Sequence, residues 1–251
     1  MANYTTNYNL KKPLGNENYN IENQNGNMDI IEENFIEIDS SLAETPKKTL
    51  ADITYYVATT GLDTNDGLTV ETAFKTIQYA IDNLPQAINH SIYINVSAGT
   101  YSEDINILGF IGKGSLYIGG TTTTNVNTIA IKGCQLIITI FNFTTIANST
   151  HSVNVSACIY IRITDIITTS VSASANGINV YSSLVLIKNC TLSNKNNGIY
   201  ASDMSTVYSY NNSGSGNAIG LSSLNGSTIG KYSVQPTGTT AEQAGKGGII
   251  R

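Results

Sequence analysis

Charge is the scarcest property of this sequence: Asp, Glu, Lys and Arg make up 12% of its 251 residues, against 41% hydrophobic residues. Its surface therefore has to be covered by Ser, Thr, Asn and Gly, which is unlike an ordinary cytosolic enzyme. Tryptophan is absent, and there are only four Pro, three Cys and two His. Cys134, Cys158 and Cys190 stand far apart, with no CxxC and no neighbouring His, so a disulfide framework or a zinc site is not expected. They read as small buried apolar residues. No run approaches the roughly 18 apolar residues that span a bilayer, and the opening MANYTTNYNLKK has no apolar signal core, so neither membrane insertion nor general export is expected. Basic charge is missing as well. The formal net charge is −5, with four Lys and nine acidic residues in 1–52 and nine of each sign in 53–251. An acidic head on a neutral body offers no stripe to neutralise phosphates, which excludes nucleic acid as an expected partner.

What is present begins with an Asn- and Tyr-rich stretch, residues 1–26, punctuated by Pro13 and Gly15 and without helical or strand period. This reads as an extended segment ordered by a partner. Met28, Ile31, Phe35, Ile38 and Leu42 then follow at spacings of three, four, three and four, the a/d seam of a coiled coil. Asn27 is the expected N-cap, with Asp29, Glu32 and Glu33 near the positive end of the helix dipole. A narrow seam wants further copies of itself, although two heptads also fit an amphipathic helix packed on its own domain. Thr45-Pro46-Lys47-Lys48 reads as a linker, ITYYV at 53–57 as a strand, and 61–67 as a turn cluster. Phe74, Ile77, Ile81 and Leu84 line one face of a helix that Thr72 would cap and Pro85 close, a lid for the end of a solenoid.

From His90 to about Ser233 short β segments recur with Gly and Asn. Ser183-Leu184-Val185, Ser205-Thr206-Val207 and Ser227-Thr228-Ile229 repeat at a step of 22, a register that also places Asn189 over Asn211. Gly177–Val180 matches Gly198–Ala201 at 21, and Ala157–Ile161 matches Ser183–Ile187 at 26. A period in the low twenties predicts an all-β solenoid, a parallel β-helix of roughly six turns, in preference to a two-sheet sandwich, whose strands recur at roughly 8–12 residues. The expected divisions are 1–45 for attachment and trimerisation, 46–88 for linker, first strand and capping helix, 89–234 for the β-helix, and 235–251 for a Gly-rich tail.

Chemistry is sparse in the repeats. Across 106–233 the only acidic residues are Asp165 and Asp203 and the only Arg is Arg162, so no catalytic constellation for polysaccharide cleavage assembles. Arg162 and Asp165 are expected to form an exposed ion pair, and His90 and His151 to be ordinary strand-flanking residues without evident partners. Asp63-x-Asn65-x-Gly67 lacks the Glu of a calcium loop at the proper offset and reads as a turn. No metal, cofactor or catalytic residue is assigned. Tyr160, Tyr181, Tyr200, Tyr208 and Tyr210 recur through the β region and are candidate glycan contacts, about half of them expected to point inward.

Tyr4-Thr5-Thr6-Asn7-Tyr8-Asn9-Leu10-Lys11-Lys12-Pro13, followed by Tyr19–Asn23 and Asn25–Ile31, resembles the N-terminal attachment segment of tail fibre proteins from phages and prophages of Gram-positive bacteria. Gly61–Gly67, with Thr72–Gln78 and Ala80-Ile81, is similar to the opening of pectate-lyase-like right-handed β-helices. These resemblances imply a homotrimer located in the virion tail. Tyr4, Tyr8, Leu10, Pro13, Tyr19 and the 28–42 seam would attach it to a tail or baseplate protein, and the β-helix would face the host cell. A cell-wall polysaccharide depolymerase and a free adhesin are the alternatives. Departing from the tail proteins, this sequence shows no terminal knob after the repeats, which puts terminal receptor binding in doubt.

Overall fold

The computed structural model describes residues 3–4, 10–12, 21–44, 48–121, 123–147 and 151–251, in two compact units, Met1–Lys47 and Lys48–Arg251. In the first unit Asn3–Tyr4 pairs antiparallel with Lys11–Lys12, and helix α1 spans Ile21–Glu44. At 1.5 Å per residue α1 is on the order of 36 Å long. It starts six residues before the N-cap expected at Asn27, which lies inside it. Gly26 and the Asn residues around it weaken a helix without breaking it, so local propensity misplaced the start. Tyr8, Pro13 and Tyr19 lie outside the described residues, as do the side chains of Tyr4 and Leu42.

The second unit is a β-solenoid of about seven turns, and every pairing among its described strands is parallel, which rules out the sandwich. One ladder stacks Ile53–Val57, Ser91–Val96, Ile111–Gly119, Gln135–Thr145, Tyr160–Thr168, Leu184–Lys188, Thr206–Tyr210, Thr228–Tyr232 and Ile249–Ile250. A second stacks Gly99–Leu108, Thr124–Lys132, Val153–Ser156, Ile178–Tyr181, Asn197–Ser202, Asn217–Ser223 and Gly238–Ala244. At a strand spacing of about 4.8 Å, seven turns extend about 34 Å. The 22-residue step appears as Leu184, Thr206 and Thr228 in register, and the 21-residue step as Ile178 on Ile199. The expected step of 26 is corrected: Ile161 pairs with Val185, a step of 24. A slip of two residues keeps each side chain on the same face, so alternation alone does not reveal it.

Inside, like sits on like. Ile92, Leu116, Ile138, Ile161, Val185, Val207 and Ile229 form one fully buried row, and Ile105, Ile129, Val153, Ile178, Ile199 and Leu221 face it from the other ladder. The three cysteines are free and buried, as expected. Cys134 and Cys158 precede Ser183, Ser205 and Ser227 at one inner corner, where Ser183, Ser205 and Ser227 each accept a backbone N–H from the turn before. Burial pushes the Cys190 thiol up to about 12, so it is held as a neutral packing group.

The ends differ. Helix α2, Ile77–Asp82, buries Ile77, Ala80 and Ile81 into the solenoid core together with Phe74 and Leu84. It is shorter than expected and its N-cap is Thr76, not Thr72. The cause is local: Asp63 accepts the N–H groups of Lys75 and Thr76, Phe74 exchanges backbone hydrogen bonds with Tyr56 and Ala58, and Thr72 donates instead to Asp66. Glu103 accepts the N–H groups of Ile77 and Gln78, satisfying two of the donors left open at the first turn. At the other end, 235–251 is not a tail: Gly238–Ala244 and Ile249–Ile250 continue the two ladders. Glycine and short polar residues there hid this turn, and inner positions turn polar from Thr228–Tyr232 onwards. Lys231 stands in register with Ser209, Glu242 with Leu221, and the two side chains form an ion pair. Charge placed at inward positions discourages further strands from adding to an exposed edge.

Candidate functional site

Three surfaces carry chemistry. The first is the face of α1 with its seam. Leu10, Ile31, Asn34, Phe35 and Ile38 border a hollow of about 210 Å³, so the structure brings one candidate attachment residue and three residues of the expected seam together. Phe35 is 63% exposed, Ile38 54% and Met28 52%, and Ile36, which the seam did not include, is 69% exposed. Such side chains at heptad spacing form a stripe that fits the seam of a helix bundle.

The second surface is the outer side of the first ladder. Because side chains alternate along a strand, every turn contributes the same outward positions, and these align in rows. One row runs Tyr93, Tyr117, Thr139, Arg162, Leu186, Tyr208 and Gly230, and the next Asn95, Gly119, Phe141, Thr164, Lys188, Tyr210 and Tyr232. Tyr93 and Tyr117 stack with centroids 4.9 Å apart and planes within 10°, and Tyr210 and Tyr232 tilt together at 6.1 Å. Gly119 leaves room for the Phe141 ring that covers it, since a Cβ would lie 2.1 Å from that ring and displace it. Tyr160, Tyr208 and Tyr210 therefore belong to one face, whereas Tyr181 and Tyr200 pack edge to face on the second ladder, with centroids 5.9 Å apart. None of the five is fully buried. Tyr93, Tyr117 and Tyr232 were missed, and the 24- and 22-residue steps that align them are the signal that could have found them.

Arg162 does not pair with Asp165. Its guanidinium lies over the Tyr160 ring at 5.1 Å, because an outward strand position aims it along the sheet while Asp165 sits at the turn. Lys188 likewise lies over Tyr210 at 5.8 Å. Aromatic rings beside cationic side chains can stack on a ligand ring while the cations reach its polar edge.

The third surface is the corner after this ladder, a stack of left-handed residues at Asn142, Asp165, Asn189, Asn211 and Ser233, with φ between 52° and 61°. Asn and Asp tolerate that conformation better than other residues with side chains. Asn211 donates to Asn189 at 3.0 Å, as the register predicted. Asp203 lies at the opposite corner, where Asn225 and Ser202 donate to it, so the two carboxylates of 106–233 stand at different corners of one chain. Asp66 is kept below the usual carboxylate range by the Thr72 hydroxyl and the Leu68 N–H, the bonds of a turn. Among the described residues no group of three metal-ligating side chains occurs.

Both histidines have partners, contrary to expectation. His90 Nδ1 lies 3.2 Å from the Thr49 hydroxyl, and His151 Nδ1 accepts the Asn176 N–H at 2.9 Å. Burial holds the His151 pKa below its ordinary value. A depressed folded pKa means the unfolded chain binds the proton first, so stability is intact above about pH 6.5 and is lost as pH falls through the folded value. The urea midpoint is thus expected to fall between pH 7.5 and 5.0 by more in the wild type than in His151→Leu; equal losses would contradict this role. Lys195 is buried with its ammonium 2.6 Å from Ser170 Oγ, and desolvation lowers its pKa too. Among the described residues no helix is long and apolar enough to cross a membrane.

No protein-family model, no curated protein and no solved structure matches the chain.

Proposed function

We propose that this protein is a non-catalytic structural and binding component of a phage-type tail, a fibre or baseplate-decorating subunit. Three copies join along the α1 seam, the N-terminal segment docks on a tail or baseplate protein, and the solenoid presents its outer sheet face to host-surface glycan. The observation that carries the reading is the exposed apolar stripe of α1, which a partner helix would cover. The resemblance of 4–31 to tail-fibre attachment segments supports the location in the virion. On this reading the solenoid coils right-handedly, and α2 with Phe74 closes its first turn against edge-to-edge pairing.

The test is cosedimentation with purified tail particles, with reducing-sugar release from host wall polysaccharide followed on the same samples. The full-length chain is expected to travel with the particles and to release no sugar. A chain lacking 1–45 should stay folded, because the solenoid has its own core, and should remain in the supernatant. Retention of the truncated chain would contradict docking through the N-terminus, and sugar release would replace the reading with a depolymerase.

A further inference from the structure

We infer that the hollow at the left-handed corner, between Asn142 and Asn189, binds one unit of a neutral saccharide through its hydroxyl groups. The inference rests on the glycan-facing reading above and assigns the site and the class of sugar. The hollow measures about 180 Å³, well below the size that takes a drug-like ligand and suited to a single sugar ring. Asn142, Thr144, Asp165, Asn189 and Thr191 border it, with the buried Phe143 ring as floor and the partly exposed Ile167 at the side.

Hydrogen bonding along the stack points to this place. Further down, the amides satisfy one another: Ser233 donates to Asn211, and Asn211 to Asn189. That chain stops at the hollow. Among the described residues the Asp165 carboxylate takes part in no hydrogen bond and no ion pair, and neither the Asn142 amide nor the Thr144 hydroxyl bonds to another described residue. Three polar side chains from two successive turns thus border one concavity with their bonding capacity open to a ligand. A carboxylate accepts two O–H groups at once, and amides both donate and accept, the complement of adjacent sugar hydroxyls. Ile167, 38% exposed, offers an apolar contact for the ring C–H face. Phe141, Thr164, Lys188 and Tyr210 immediately precede the corner residues in their strands, so the sheet face continues into the hollow.

Charge selects the ligand. A uronic acid would bring its carboxylate towards Asp165, whereas a neutral glycoside meets no such repulsion. A calcium ion prefers six to eight oxygens, usually with several carboxylates, and one carboxylate is present.

Saturation-transfer NMR on the full-length protein, with methyl glucoside, methyl galactoside, methyl N-acetylglucosaminide and galacturonate as probes, tests the inference. At least one neutral glycoside is expected to bind in the millimolar range, galacturonate not to bind, and Asp165→Asn to weaken the neutral ligand about tenfold. Asn keeps the left-handed turn, so the variant should fold. Galacturonate binding as well as the neutral probes, no binding by any neutral probe, or unchanged binding in Asp165→Asn would each overturn it, as would binding of calcium alone that Asp165→Asn abolishes. Binding that is lost in Tyr210→Ala but kept in Asp165→Asn would move the ligand to the sheet face, sinking this site while leaving the proposed function standing.

Discussion

Replacing Ile31 and Phe35 together by Asp is expected to convert the proposed trimer to single chains, with sedimentation velocity showing the mass fall to one third. The two side chains border the same hollow on α1 with Leu10 and Ile38, and Phe35 is largely exposed in the isolated chain. In a bundle each would insert between residues of the facing helices, and six carboxylates in one short seam would have to lose their water without a partner. Circular dichroism should still show the solenoid, since the seam lies in a separate unit from the β core. Ile36→Asp, just outside the heptad positions, should weaken the assembly far less. A double variant that keeps its mass would place self-association in the solenoid.

Ile138→Ala is expected to cost about 2–5 kcal/mol, read as a drop in the urea midpoint of the solenoid transition. Ile138 has no exposed surface and stands in the buried row between Leu116 and Ile161, so the lost atoms leave a void that two neighbouring turns border. In a solenoid, stability is nearly a sum of turns and their nearest-neighbour interfaces, so a defect in a central turn weakens two interfaces at once. Ile250, partly buried and at the end of the same row, has one such neighbour, and Ile250→Ala should cost less than half as much. Equal costs at the two positions would contradict the stacked arrangement of the core.

Much of this architecture was legible because stacking turns repetition in sequence into repetition in space. Where Ser and Asn repeated at identical offsets, at 183, 205 and 227 or at 189 and 211, the register followed to the residue. Where side-chain types changed between turns, as from Cys158 to Ser183, alternation preserved the face but not the offset, and the step came out two residues too long. The last turn was unreadable for a related reason: Gly238–Ala244 is glycine, small and polar residues, with Glu242 in register with the buried Leu221, so the apolar pattern that marks a strand is gone although the backbone pairing continues. The start of α2 failed through tertiary bonds, since Phe74 belongs to the apolar pattern that predicted a helix from Thr72 yet is spent on strand contacts, while Asp63, from the preceding turn, holds the N–H groups of Lys75 and Thr76. Of the sites, the Tyr residues were visible as a composition and their division between two faces was not, because the face depends on which ladder each belongs to. The corner hollow gave no sequence signal, as its meaning lies in which polar groups go unpaired, a property of the fold.

On the proposed reading this chain assembles through α1 into a three-chain, sugar-binding but non-cleaving tail component. Multi-angle light scattering of the purified full-length protein tests it most directly. A mass of three chains at micromolar concentration is the predicted result, and a mass of one chain that stays constant with increasing concentration would contradict it.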